Sequence, residues 1–192
     1  MQSSHKANIR KDYIKKRKLL SDATQRDASQ KLCSNIEMLT IYQNASHIAL
    51  YQAIDGEISL TPLWEKAVAA GKTCYMPMIH PNDHRLIFLP TSPHAPQKRN
   101  TFNILEPDVS PHKAIALQDI DLMILPLVAF NQQGTRLGRG AGYYDKTLQQ
   151  AKPQYLLGAA YAFQEHTALV ADAWDIPLDL IVTETHVYWR NT

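Results

Sequence analysis

Cysteine and glycine are scarce in this chain. The two cysteines in 192 residues, Cys33 and Cys74, are too few and too widely spaced for a disulfide framework or a thiolate metal site. They read as free interior thiols in a reducing compartment. No apolar run approaches the roughly 18–20 residues of a membrane span, and the basic start lacks the apolar core of a secretory signal. A cytoplasmic protein without a membrane partner is expected. The eight histidines are scattered. His80 and His84 are spaced i,i+4, but Pro81, Asn82 and Asp83 make that segment a turn rather than a helical ligand pair. No Ser, Cys or His stands in a pattern that announces a nucleophile with its base. Repeats and low-complexity segments are also missing. Apolar residues at 45% and charged residues at 20% are ordinary for a globular chain, and the length suits one domain over residues 1–192.

Charge is unevenly placed. Lys6, Arg10, Lys11, Lys15, Lys16, Arg17 and Lys18 hold seven of the 20 basic residues against Asp12 alone, leaving 13 basic and 17 acidic residues elsewhere. Over residues 6–20 the spacing predicts a helix: Ile9, Tyr13 and Leu20 can pack, while Lys6, Arg10 and Arg17 lie close to one stripe. Such a row is a solvated face, a site for a small anion or a nucleic-acid arm. Nucleic acid is the weakest of these, for stacking aromatics and a second basic cluster are missing.

Further along, Asp22 with Gln25 offers a helix start before Ala28, Leu32, Ile36 and Leu39. "HIALYQA" reads as a strand. "LTPLWEKAVAAGK" reads as a helix with Thr61 capping, Pro62 in the first turn and Gly71 at the stop. "TCYMPM" and "RLIFLP" are extended, and residues 90–112, with Pro90, Pro93, Pro96, Pro107 and Pro111, form the one long loop region. "DLMILPLVAF" has the continuous apolar character of a central strand covered on both faces. A helix at "AGYYDKTLQQA" and strands at "YLLGAAYA" and "LDLIVTE" follow. The alternation predicts an α/β fold: a single-domain, three-layer α/β/α sandwich with a mostly parallel, Rossmann-like sheet. Ligands of such sheets bind beyond the carboxyl ends of the strands.

Four of the seven glycines fall in residues 134–145, "GTRLGRGAGYYD", directly after the central strand. A glycine loop between strand and helix lets backbone amides approach an anion. Arg136 and Arg139 add donors that suit phosphate, and Asp145 is a carboxylate of the kind that holds a divalent cation on phosphates. Neither a Walker A loop nor G-x-G-x-x-G is present. The alternative is a sharp turn with packed tyrosines, which the two arginines and the acid disfavour.

The stretch Leu125–Leu148, "LPLVAFNQQGTRLGRGAGYYDKTL", resembles the signature of 5-formyltetrahydrofolate cyclo-ligases, also called methenyltetrahydrofolate synthetases. The likeness extends to Lys6 and Arg10, to Glu57 in "YQAIDGEISL", to Phe102 in "FNILEP" and to Asp179 in "IPLDLIVTE". Many bacterial members have Tyr-Gly-Gly-Gly where this chain has Arg139-Gly140-Ala141-Gly142, and arginine where it has Lys146. The resemblance implies ATP-dependent closure of 5-formyltetrahydrofolate to 5,10-methenyltetrahydrofolate, with ATP and Mg²⁺ as cofactors. It implies an ATP site of Lys6, Arg10 and the run Arg136, Leu137, Gly138, Arg139, Gly140, Ala141, Gly142, Tyr143 and Tyr144. Of these, Arg136, Arg139, Tyr143 and Tyr144 would act in catalysis. A folate, with or without a polyglutamate tail, would meet Arg10, Glu57, Phe102, Gly140, Gly142 and Tyr143, with Phe102 stacking and Glu57 on the pterin edge. Asp145 and Asp179 would hold Mg²⁺. A monomer is expected. Another ATP-dependent kinase or ligase, or an anion-binding protein without catalysis, are the alternatives.

Overall fold

The computed structural model describes residues 2–191. Helix α1 (Gln2–Lys18) starts earlier than expected and rests Ile9 and Tyr13 against Ala129, Leu137 and Leu169. Helix α2 (Asp22–Glu37) is capped not by Asp22 but by Ser21, whose Oγ accepts the Thr24 N–H at 3.2 Å. Asp22 is instead the first helical residue, where its charge favours the positive helix end. The short α3 (Thr40–Asn44) precedes β1 (His47–Ala49). Helix α4 (Thr61–Ala69) also begins one residue away from expectation. Thr61 is inside it, and Ser59 Oγ accepts the Thr61 N–H at 3.2 Å. Gly71, with φ +78°, follows its end.

The remaining strands are β2 (Thr73–Ile79), β3 (Leu86–Thr91), β4 (Gln97–Arg99), β5 (Leu105–Pro107), β6 (Leu122–Pro126), β7 (Ala129–Phe130) and β8 (Arg136–Leu137). Helix α5 (Tyr143–Leu148), β9 (Tyr155–Ala159), β10 (Leu180–Val182) and β11 (Val187–Trp189) complete the order. Seven strands form one sheet, β11-β10-β9-β6-β1-β2-β3. Its five inner strands are parallel, and the two edges, β3 and β11, are antiparallel. The expected α/β fold with a mostly parallel sheet is present.

Alternation along the strands decides what each face buries. Ile48, Leu122, Ile124, Leu157, Leu180 and Val182 point to the face covered by α2 and α4. Ala49, Met123, Leu125, Leu156 and Ile181 point to the other, where α5 and irregular segments bring Leu148, Leu117 and Ile176. Gly158 on β9 lets this second layer approach: a Cβ there would stand 2.5 Å from Leu178 Cδ1 and 2.8 Å from Leu127 Cδ2.

Two expectations need correction. "DLMILPLVAF" is not one strand. β6 ends at Pro126, and the Leu127 carbonyl accepts from Arg17 Nη1 at 3.1 Å and Gln164 Nε2 at 2.9 Å instead of from a ladder. The chain then turns into the β7–β8 hairpin, on which α1 lies. The proline-rich segment 90–112 is not simply a loop, because β4 and β5 pair within it as a second hairpin.

Candidate active site

The carboxyl ends of β1, β2 and β6 open into a cleft of about 710 Å³. Five segments wall it: α1, the turn after β1, the β4–β5 hairpin, the glycine loop after β8 and residues 172–175.

The glycine loop is held open from within. Arg136 is buried, and its guanidinium donates to the Ile176 carbonyl and to Asp145 Oδ1. That anchors both ends of the segment, so Arg136 supports the loop rather than projecting from it. Arg139 is different: its side chain is 40% exposed and pairs with Asp55, with Glu57 Oε1 at 3.7 Å. Gly140 and Gly142 have φ of +107° and +71°, which favour glycine. Arg10 Nε donates to the Gly138 carbonyl at 2.9 Å, and its guanidinium carbon lies 3.6 Å from where a Gly140 Cβ would be. Among the described residues, none of the backbone N–H groups of 138–142 donates to the protein. A turn with this many unspent donors has the makings of an anion cradle. Helix α5 behind it has only six residues, so the amides and arginines matter more than its dipole.

Around the cradle the charges are mutually paired. Lys6 Nζ lies 2.7 Å from Asp172 and 3.8 Å from Asp175, both on the cleft. Hydrogen bonds from Arg139 and then Lys18 hold the Asp55 carboxyl below its usual range. Glu57 is buried, with Arg17 Nη2 at 3.8 Å and its Oε2 accepting the Ile54 N–H at 3.1 Å. Burial pushes its carboxyl up despite the two guanidinium groups. Burial likewise raises the Tyr144 phenol, and the Glu57 charge adds to it. At the opposite wall Phe102, 59% exposed at the hairpin tip, meets Tyr143 edge-to-face with centroids 6.3 Å apart.

The expected metal pair is not assembled. Asp145 lines the cleft but spends one oxygen on Arg136. Asp179 stands before β10, at the amino end of the sheet, where it accepts the Leu156 N–H at 2.8 Å and faces Arg190 at 3.7 Å. The described residues contain no cluster of three or more His, Cys, Asp or Glu able to hold a metal. All other expected residues, Leu137 and Ala141 included, line the one cleft. Sequence reasoning missed Glu106, Asn100, Tyr51, Asp172, Trp174 and Asp175, which also line it. Arg17 was visible on the basic stripe with Lys6 and Arg10, but its complete burial was not.

Residues 2–184 match the model of the 5-formyltetrahydrofolate cyclo-ligase family. The chain belongs to this family. It is 37% identical over 186 residues to the cyclo-ligase of Haemophilus influenzae, covering 95% of this chain and 100% of that one. With the cyclo-ligase of Escherichia coli K12 it shares 34% over 176 residues, 90% of this chain and 97% of that one. The solved structure of Aquifex aeolicus 5,10-methenyltetrahydrofolate synthetase superposes with a TM-score of 0.85 at 34% identity, over 97% of this chain and 93% of the other. Cyclo-ligase membership thus agrees with the loop, the basic helix and the sheet topology together. No helix among the described residues is long and apolar enough to cross a membrane.

Proposed function

We propose that this chain closes 5-formyltetrahydrofolate to 5,10-methenyltetrahydrofolate at the expense of ATP, in the cleft at the carboxyl ends of β1, β2 and β6. The run of unspent amides at 138–142, between Arg10 and Arg139, carries the reading. A formyl oxygen attached to an amide carbon is a poor leaving group. The γ-phosphoryl group passes to it: the bond to the β-phosphate oxygen breaks, the bond to the formyl oxygen forms, and N5 becomes an iminium. N10 then attacks the formyl carbon, its proton goes to water, and phosphate departs. Such transfer demands positioning and neutralisation of charge rather than a protein nucleophile.

The glycine-loop amides and Arg139 hold the phosphates. Lys6 and Arg10 join them from α1, Lys6 exchanging Asp172 for a phosphate oxygen. Arg136 and Glu57 act by support: Arg136 fixes the loop through Asp145 and Ile176, and Glu57 sets Arg139 and Arg17 in place. Phe102 and Tyr143, in edge-to-face contact with each other, offer the folate ring an aromatic corner to pack against. Tyr144, kept protonated by burial, offers a hydroxyl donor beneath the loop. Asp145 and Asp179 do not fit Mg²⁺ as a pair, so no step is assigned to a protein-held metal. Mg²⁺ enters as the counterion of the triphosphate, whose oxygens it prefers.

The test is isotopic. With a heavy-oxygen label in the formyl group, the label should appear in inorganic phosphate as the methenyl product forms. Label lost to water, or product formed without ADP, would contradict the transfer.

A further inference from the structure

Arg17, at the end of α1, does not line the cleft but is fully buried behind Glu57, which does. Its Nη1 donates to the Leu127 carbonyl at 3.1 Å, while Nε and Nη2 have no hydrogen-bond partner among the described residues. A guanidinium keeps its proton even when buried, so a carboxylate has to balance it. Glu57 does so, with Oε1 3.8 Å from Arg17 Nη2. The same oxygen lies 3.7 Å from Arg139 Nη1. One carboxylate is thus shared by a cation locked in the interior and a cation on the open loop. Asp55 repeats the arrangement: it pairs with Arg139 and, at 3.0 Å, with Lys18 Nζ. Both acids that hold Arg139 therefore have a second cation, and both second cations come from the last turn of α1. The turn bearing the acids is pressed onto that end of the helix, for a Cβ at Gly56 would stand 2.9 Å from the Arg17 carbonyl oxygen.

We propose that Arg17 and Lys18 are resident counterions of Glu57 and Asp55, positioning residues that free Arg139 to leave both acids for the phosphates of ATP. The inference rests on the phosphate reading of the glycine loop. Without ligand, Arg139 is tied to two carboxylates that compete with any anion for it. When it turns to a phosphate, a buried Glu57 left alone would be costly. Arg17 removes that penalty, because its unspent Nη2 needs only a small shift to close on Oε1. Burial pushes the Glu57 carboxyl up, and the Arg17 charge is the foremost influence opposing it. Lys18, whose side chain is 54% exposed, does the same for Asp55 at the surface. Neither residue needs to touch the nucleotide. Each sets how readily Arg139 moves.

The experiment measures MgATP affinity by calorimetry at pH 8 in the parent, Arg17→Met, Glu57→Gln and the double variant. Arg17→Met alone should weaken MgATP about tenfold, since Arg139 becomes the sole cation of a buried acid. In the Glu57→Gln background the same replacement should change affinity by less than about threefold, the coupling expected of residues that share a partner. Lys18→Ala, at an exposed position, tests the device in a protein that folds whatever Arg17→Met does. It should weaken MgATP about threefold, the scale of an exposed ion pair, and have no effect beside Asp55→Asn. Equal losses with and without the acid in either pair, as a structural defect or a direct contact with the nucleotide would give, overturn the assignment. So does the absence of any loss in the single variants. A parent that binds no MgATP overturns the phosphate reading itself and the assignment with it.

Discussion

Arg136 and Arg139 stand three residues apart in one motif and do different work. Arg136 is buried with two acceptors inside the fold. Replacing it with methionine should cost about 2–4 kcal/mol in urea unfolding, because the Ile176 carbonyl and Asp145 lose their shared donor. Arg139 is partly exposed, and its pair with Asp55 is of the kind that contributes little to stability. Arg139→Ala should leave unfolding within about 0.5 kcal/mol of the parent and raise the KM for ATP by about tenfold, the loss of one hydrogen bond to a charged group. Residue type and motif told the same story for both arginines; only the packing of Ile176, some 40 positions away, separates them. The thiols were better readable. Burial pushes Cys33 and Cys74 from 9.0 up to about 11. Both should resist a disulfide reagent at pH 8 and react only as the pH nears 11 or the chain unfolds. The folded state holds these protons more tightly, so stability should fall as pH rises above 9.0 toward 11.

At the scale of elements, local signals located α1, α2, α4, α5 and the inner strands, though not the five-residue α3, because apolar period and glycine stops are local properties. They failed where a distant partner decides. The β4–β5 hairpin was hidden by its prolines, yet Pro107 pairs with Gln97 at its edge and Pro96 lies just outside it. The break after Pro126 depends on Arg17 and Gln164 reaching Leu127, which no window around "DLMILPLVAF" contains. The position of the glycine loop on the cleft was legible, whereas the separation of Asp145 from Asp179 was not, since Asp179 sits at the far end of its strand. Alanine at Gly140, where φ is +107°, should force the turn to shift. We expect kcat/KM for ATP to fall by more than tenfold at a stability cost of about 1–2 kcal/mol; unchanged kinetics would remove this turn from the phosphate cradle. Phe102→Ala, at an exposed tip, should leave the melting temperature unchanged and raise the KM for the folate by about tenfold, the worth of one aromatic contact.

In the whole molecule, the parallel strands bring their carboxyl ends to one rim, and the chain arranges the cleft there with a cationic side and an aromatic, acidic side. The cationic side comes from α1 and the glycine loop, the other from the β4–β5 hairpin, and β6 with its hairpin extension holds α1 against the sheet. ATP and a folate can therefore be held with the γ-phosphoryl group turned toward the formyl oxygen at the middle. The most direct measurement follows the near-ultraviolet absorbance of the methenyl product in purified protein given 5-formyltetrahydrofolate, Mg²⁺ and ATP. The account predicts a band that grows only with ATP present, with one phosphate released per product formed. Absence of the band in protein that binds ATP would contradict it and assign the cradle to another acceptor.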